Sequence, residues 1–556
     1  MGARPAGRAV QGRDFTGWHP ADGRRGLSPA RLAMVSVLQY AENLSDRQAA
    51  EAVRCRLDRK YCLGLELDDP GFDYSVLSEF RDRMAQGDRA DRLLAVMVDH
   101  LVAAGLVKRR GRMRTDSTHV LAAVRKLNRV ELVAETLRAA LEALAAADEQ
   151  WLAPLVTAGW TERYGPSGPL RPAAQDQLEL GAYVLQAGED GMRLLRAVYQ
   201  DDAPRRLRAL PQVQVLRQVW IQQYFYDAGG QLGWRGPKDT KDRLSRRGAP
   251  RRSEGPAAGS PDTASARVPW SSTEIVTPYD VEARFAHHPG KAAWIGYKDH
   301  QTETCDAAGP NVIVHVATQA APEQDIAVLE PIHHALAARC LLPSEHLADA
   351  AYISPAAILR AATGYDVTLL GPMRPITPSR HRPGFTKQDF RIDWQARTAT
   401  CPRGMTSPPW KDTLLDGQPR YSVRFPRAVC RACEDRLACA AGTDGRGRHL
   451  ILMPRPLQEI QNRTRTEQET PAWQARYAMR AGCEATVSET VHAHGLRNCR
   501  YRGLAKTHVQ HVLTAAGTNI VRLSECFPPG TTSQRAPRPL TPFQQLCQNT
   551  GYQPDS

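Results

Sequence analysis

No stretch of the 556 residues approaches the roughly 20 uncharged apolar residues that a membrane span needs, so no membrane association is expected. The basic amino-terminal run MGARPAGRAVQGRDF is not followed by an apolar segment. That argues against a secretory leader and for a cytoplasmic chain. No GxxxxGK[ST] segment occurs, so ATP is not an expected ligand. Lysine is scarce, with ten residues among 73 Lys plus Arg, a skew that points to a GC-rich coding sequence rather than to arginine chemistry. Acidic residues are also in deficit, 59 against those 73. The resulting net charge of +14 favours a polyanionic partner, because neutralising phosphates releases their counterions. What remains is ordinary: 42% hydrophobic and 24% charged residues exclude a fibrous or wholly disordered chain, and the length calls for two or three packed units. Twelve cysteines in a cytoplasmic setting argue for free thiols or a metal rather than a disulfide framework.

The pattern changes along the chain. Residues 1–26 are Arg- and Gly-rich without periodicity and read as a disordered arm. Residues 27–110 read as a compact helical unit. Ser28-Pro29 opens its first helix, Ser45-Asp46-Arg47-Gln48 is a capping box for the second, and FDYSVLSEFRDRM sets Val76, Leu77, Phe80 and Met84 on one face with Arg81 and Arg83 elsewhere. Short helices with protruding arginines suit a DNA reader of the helix-turn-helix kind. Residues 111–371 carry a β-branched strand (113–124), a helical segment (128–225), a Gly/Pro/Ser-rich linker (228–270) and a mixed α/β run of strand, strand, helix, strand. Residues 372–454 are Pro-rich, Cys-bearing and predicted to be β-rich. Helices return over 455–525, and 526–556 read as a loose tail.

Three acids stand out by their surroundings. Asp116 lies inside the apolar strand RTDSTHV, Asp349 ends the run HLADAAY, and Glu484 lies in the helical segment RYAMRAGCEATVSETV. An acid in an apolar strand is costly unless it is paired or bound to a metal. Two strand-borne aspartates with one helical glutamate suit a phosphoryl-transfer site with two Mg²⁺ (or Mn²⁺) about 4 Å apart. Helical offsets of 3 and 4 put Tyr477, Arg480 and Glu484 on one face. Cys401, Cys430, Cys433 and Cys439, with one C-x2-C pair among them, fit a structural Zn²⁺ site. Residues 400–440 hold few large apolar side chains, so that site is expected to hold the segment together. Arg497, Arg500, Arg502 and Lys506 follow the acidic helix and are candidates for phosphate contacts, as are Arg81 and Arg83.

RTDSTHV, ADAAY and YAMRAGCE, in that order, resemble the three acidic blocks of a DDE transposase from a bacterial insertion sequence. The third block matches that family's Tyr-x2-Arg-x3-Glu pattern. LSDRQAAEAVRCRLDRKYCLGLELDDPGFDYSVLSEFR, DVEAR, GYKDHQTETCD and GLRNCRYRGLAKTHVQHVLTAAGTNIVRL extend the likeness over roughly residues 25–525. The chain departs from the pattern at Ala351, where glycine is commoner, and in the shortened run GPMRPITPSRHRPG. The resemblance implies an α/β, ribonuclease-H-like catalytic core with an all-α, DNA-binding amino-terminal domain and a Cys-rich β insertion. It implies catalytic roles for Asp116, Asp349 and Glu484, with Tyr477 and Arg480 as their helix partners. Double-stranded DNA at the element's inverted repeats and at the target is the implied partner, bound by a homodimer at the bacterial nucleoid. The alternatives are a decayed or domesticated DNA-binding protein without catalysis, and a ribonuclease-H-like nuclease that cuts without joining.

Overall fold

The computed structural model describes residues 27–165, 177–227, 229–235, 273–287, 292–307, 309–374, 383–440 and 447–526. The expected arm (1–26), nearly all of the expected linker, part of the GPMRPITPSRHRPG run and the expected tail from 527 onward lie outside these residues.

Five helices come first: α1 (Pro29–Ala41), α2 (Asp46–Cys55), α3 (Leu57–Leu63), α4 (Ser75–Met84) and α5 (Arg89–Ala103). The capping box at Ser45 and Gln48 forms as the sequence predicts, whereas Ser28 makes no side-chain cap and leaves the start of α1 to Pro29. β1 (Arg112–Leu121) follows, then a helical segment of α6 (Arg129–Ala147), α7 (Glu149–Leu152), α8 (Ala158–Tyr164), α9 (Gln177–Val198), α10 (Arg205–Arg208) and α11 (Pro211–Gln223). This segment packs around its own core, with Leu137, Trp160, Leu194 and Trp220 at its centre. It ends in a hairpin of β2 (Tyr224–Tyr226) and β3 (Leu232–Trp234), so the first residues expected in the linker form a strand instead.

The chain then contributes β4 (Arg284–Ala286), β5 (Trp294–Thr304), β6 (Ile313–Ala320), α12 (Leu329–Ala338), β7 (Glu345–Ala348), α13 (Pro355–Tyr365) and β8 (Thr368–Leu370). β1 is the centre of a mixed sheet. It pairs antiparallel with β5 on one side and parallel with β7 on the other. β6 and the short β4 lie along the far edge of β5, and β8 continues the sheet parallel to β7. β1 is buried along most of its length, as a strand flanked on both edges and covered on both faces must be.

β9 (Arg391–Asp393), β10 (Thr398–Thr400), β11 (Lys411–Leu415), β12 (Gln418–Arg424), α14 (Arg427–Arg431), α15 (Arg436–Cys439) and β13 (His449–Leu452) form two small sheets with a core of their own. Segment 400–440 shares this core with its flanking residues. Phe390, Leu450 and Leu452 come from outside the segment and complete it around Trp410, Val423 and Phe425. Four helices close the described chain: α16 (Arg455–Glu467), α17 (Pro471–Ala478), α18 (Gly482–His492) and α19 (Leu504–Cys526).

The amino-terminal helices are not a separate unit. Leu32, Val37, Leu77, Phe80, Leu93 and Val98 belong to the same hydrophobic core as Val312 and Val316 beside the sheet and Val512 of α19. α19 runs against α1, α5 and β6. A Cβ at Gly517 would sit 2.8 Å from the Ala41 backbone nitrogen, so the α1–α19 approach depends on the missing side chain.

Candidate active site

Asp116 sits mid-strand on β1. In the parallel ladder Thr115 faces Ala348, the last residue of β7, so Asp116 and Asp349 are the next residues of two neighbouring strands. Glu484 lies in the first turn of α18, where a carboxylate also favours the helix N-terminus. The three come from positions 116, 349 and 484, and one side chain joins them. Arg480 Nη2 lies 2.7 Å from Asp116 Oδ2 and 4.0 Å from Asp349 Oδ2, while Nη1 lies 2.8 Å from Glu484 Oε1.

The local backbone orients the aspartates. Asp116 Oδ1 accepts from the Ser117 N–H at 2.8 Å, and Asp349 Oδ1 accepts from the Ala351 N–H at 2.8 Å. The Ala351 found here in place of the commoner glycine keeps its N–H for this bond. Burial pushes the Asp116 carboxyl above its ordinary range, against the pull of Arg480. Burial pulls the Arg480 guanidinium down, and the negative neighbours Asp116 and Asp349 outweigh it, so it stays firmly protonated. Exposure of the side chains runs from 12% for Asp116 through 36% for Asp349 to 68% for Glu484, which makes the site a cleft with one open side.

Arg480 and Glu484 keep the pairing four residues apart that one helical face predicts, and the helical run that carries them and Tyr477 is interrupted once. A 3₁₀ turn at Met479–Ala481 divides α17 from α18. Tyr477 stacks on Trp473 with centroids 4.9 Å apart and packs against Cys305, Leu347 and Leu370 beside the cleft. The turn has a cause that sequence patterning did not reveal. Arg114, two residues before Asp116, reaches across with Nη1 donating to the Met479 carbonyl at 2.5 Å and Nε donating to Glu303 Oε1 at 2.7 Å. A Cβ on residue 482 would run into this guanidinium, so Gly482 is the residue that lets α18 start there. The fully buried Glu303 is held in turn by Thr486 and Arg522, and Arg522 also binds Glu489. This ionic cluster ties β1, β5, α18 and α19 together beneath the acids. The sequence signals for it were charges inside buried strands, Arg114 in β1 and Glu303 in β5.

Beneath the site lies a polar layer. Thr115 Oγ1 lies 2.7 Å from His346 Nε2, whose Nδ1 lies 2.8 Å from His333 Nε2. His300 Nδ1 lies 2.6 Å from the Tyr352 hydroxyl. Burial pulls the His300 and His333 imidazoles down to about 4, so this layer is neutral support for the sheet.

The six candidate DNA-contacting cations divide into two groups. Arg81 is a correction: it is buried, its Nη1 donates to Asp46 Oδ1 at 2.8 Å, and its guanidinium lies over the Tyr501 ring. Arg500 is another. It donates to the Leu44 carbonyl at 2.6 Å and to Asn43, and covers the Tyr40 ring, clamping the end of α1. Arg497 is spent on Thr118 and the His119 carbonyl of β1. Arg502 is exposed over the Tyr279 ring, Lys506 forms an exposed pair with Asp82 at 2.6 Å, and Arg83 is half-buried on α4.

Cys401, Cys430, Cys433 and Cys439 all line one cavity of about 40 Å³ in the β-rich segment, together with Phe385, Phe425 and Arg448. Burial pushes the Cys439 thiol up. Among the described residues, no group of three or more His, Cys, Asp or Glu side chains stands in metal-holding geometry, neither at these thiols nor at the three acids. At the acids the Arg480 guanidinium contacts Asp116 and Glu484 and stands 4.0 Å from Asp349. The donor sets themselves fit: carboxylate oxygens suit a hard divalent cation and four thiols suit zinc. No helix among the described residues is long and apolar enough to cross a membrane.

A family model described as a transposase DDE domain matches residues 400–524, and one described as a transposase domain (DUF772) matches residues 8–83. The first match contains Glu484 and Arg480, and the second contains α1 to α3 and most of α4. No curated protein matches the chain.

Proposed function

We propose that this chain, which belongs to the DDE transposases of insertion sequences, binds the terminal inverted repeats of its own element and cuts and rejoins DNA there through Asp116, Asp349 and Glu484. The observation that carries the reading is the convergence of these three acids, from two adjacent strands and one helix, on the single guanidinium of Arg480. The sheet supports a ribonuclease-H-like core. Its order β6–β5–β1–β7–β8 has three antiparallel strands followed by two parallel ones, with the acids at the centre.

In this reading, water hydrolyses a phosphodiester at the element end and leaves a 3′-hydroxyl, which then attacks a second phosphodiester. Asp116, Asp349 and Glu484 would hold divalent metal, Mg²⁺ or Mn²⁺, which when bound supplies charge neutralisation at the phosphate and activation of the attacking oxygen. Asp116 and Asp349 are held in place by the Ser117 and Ala351 amides, and Glu484 by the Arg114–Glu303 cluster that sets the start of its helix. Tyr477 walls the cleft. Arg502, Lys506 and Arg83 would meet the DNA backbone. We also assign Cys401, Cys430, Cys433 and Cys439 to a structural zinc, on the ground that four thiols share one small cavity. The protein would act as a homodimer at the nucleoid.

Asp116→Ala, Asp349→Ala and Glu484→Ala are each expected to reduce cleavage of element-end DNA by at least about a thousandfold while leaving DNA binding within a few-fold, because each removes one ligand from a site that needs all three. Gel assays of cleavage and binding on the same end fragment decide it. Near wild-type cleavage by any one variant removes that residue from the site.

A further inference from the structure

We propose that Arg480 is a built-in counter-cation: its guanidinium and a divalent metal are alternative occupants of the space between Asp116, Asp349 and Glu484, and metal enters by displacing it. The inference rests on those three acids being the metal's ligands. Three carboxylates in a partly buried cleft repel one another strongly, since the effective dielectric there is far below that of water. One guanidinium touches two of them at 2.7 and 2.8 Å and stands 4.0 Å from the third. Glu484 shows how strong that pull is. Its side chain is 68% exposed and free to turn to water, yet it folds back onto Arg480.

The hold on Arg480 comes from the acids alone. Its Nε is buried and has no hydrogen-bond partner, and no other side chain is bound to its η nitrogens among the described residues. Arg114, by contrast, is tied on Nε and Nη1 to Glu303 and to the Met479 carbonyl, neither of which is one of the three acids. An arginine held only by the metal's own ligands is released when they are taken. Three carboxylates and one guanidinium leave a formal charge of −2, which draws a divalent cation in. That cation and the guanidinium then repel each other across a few ångströms.

The test is Mn²⁺ binding to the full chain without DNA, by titration calorimetry or by loss of the free-ion paramagnetic resonance signal. Arg480→Gln should bind Mn²⁺ about tenfold more tightly than wild type or better, as a lost competitor requires. Adding Asp349→Asn to that variant should abolish the gain. Equal affinity in wild type and Arg480→Gln, with both weakened by Asp349→Asn, overturns the counter-cation and leaves the acids as ligands. Affinity that Asp349→Asn does not change in either background removes the acids as ligands, and this proposal with them. A second measurement needs no variant. Phenylglyoxal modification of Arg480 in the wild-type chain, followed by mass spectrometry, should be slow without metal and several-fold faster at saturating Mg²⁺. A rate that metal does not change overturns the proposal.

Discussion

His333 and His346 owe their place in the molecule to packing, hydrogen-bonded to each other inside the fold. His333 stands in the pair His333-His334, which has no ligand spacing, and the fold makes it the end of a buried chain, His333–His346–Thr115, one residue from Asp116. Its role is to satisfy polar atoms in a crowded sheet, and it holds that role only while neutral. Burial puts the folded-state imidazole at about 4, below its ordinary value near 6.5. The unfolded chain therefore binds the extra proton first as pH falls. The stabilisation is complete above about 6.5, declines between 6.5 and 4, and is gone below that. His300 behaves in the same way, while Asp299, raised by burial beside His511, contributes with the opposite sign. Wild type is expected to lose roughly 2 kcal/mol for the His333 site alone between pH 7 and pH 5, a loss that His333→Gln avoids. Urea unfolding of both proteins at the two pH values measures it. Identical losses would mean that the imidazole takes up its proton without cost to the fold.

Among the elements, α19 does the most to set the architecture. Its sequence, LAKTHVQHVLTAAGTNIVRLSEC, is polar enough to pass for a surface helix, yet thirteen of its residues are buried. It is wedged between the amino-terminal helices and the sheet, with Asn519 pairing both ways to the Ile313 backbone. α1 packs closely against Gly517. Gly517→Ala forces a Cβ against the Ala41 backbone and is expected to cost about 1–3 kcal/mol, with hydrogen exchange in α1 rising more than in α6. Stability equal to wild type would show that the helices can slide apart freely. The β-rich element of residues 383–452 is a different case. Among its described residues it has an aromatic core of its own. Zinc at the four thiols should then rigidify it locally. Protein purified without chelator is expected to carry about one zinc per chain, Cys433→Ser much less, and the overall melting temperature should move by only a few degrees. Equal zinc in both proteins would reduce the four cysteines to core thiols.

For the whole molecule, net charge of +14 predicts DNA binding whose affinity falls steeply with salt, by at least about a hundredfold between 50 and 200 mM. The candidate cations differ in how they are engaged within the fold. Arg81 and Arg500 are occupied inside the protein, where they bind the amino-terminal helices to the core. Arg500→Ala should therefore lower stability and leave the slope of log affinity against log salt unchanged. Arg502→Ala with Lys506→Ala should flatten that slope by up to about 2, because the Lys506–Asp82 pair is exposed and gives way easily to a phosphate. A flattened slope for Arg500→Ala and an unchanged one for the pair would reverse the assignment.

The coarse succession of helical and strand segments and the strand that holds Asp116 were legible from residue pattern, and the choice of the three acids came from their surroundings and from family likeness. These depend on local periodicity, on the cost of an acid in an apolar strand, and on motif order, all of which are written along the chain. Tertiary structure alone decided which cations are engaged inside the protein, where the 3₁₀ turn between α17 and α18 falls, and that the amino-terminal helices share a core with the sheet. An arginine on an amphipathic helix reads the same in sequence whether it faces water or, like Arg81, an aspartate 35 residues away. Likewise, Arg114 and Glu303 are 189 residues apart, and only packing brings them to one point beneath Gly482. Hydrogen-bond and ion-pair partners depend on distance in space, which sequence separation does not encode.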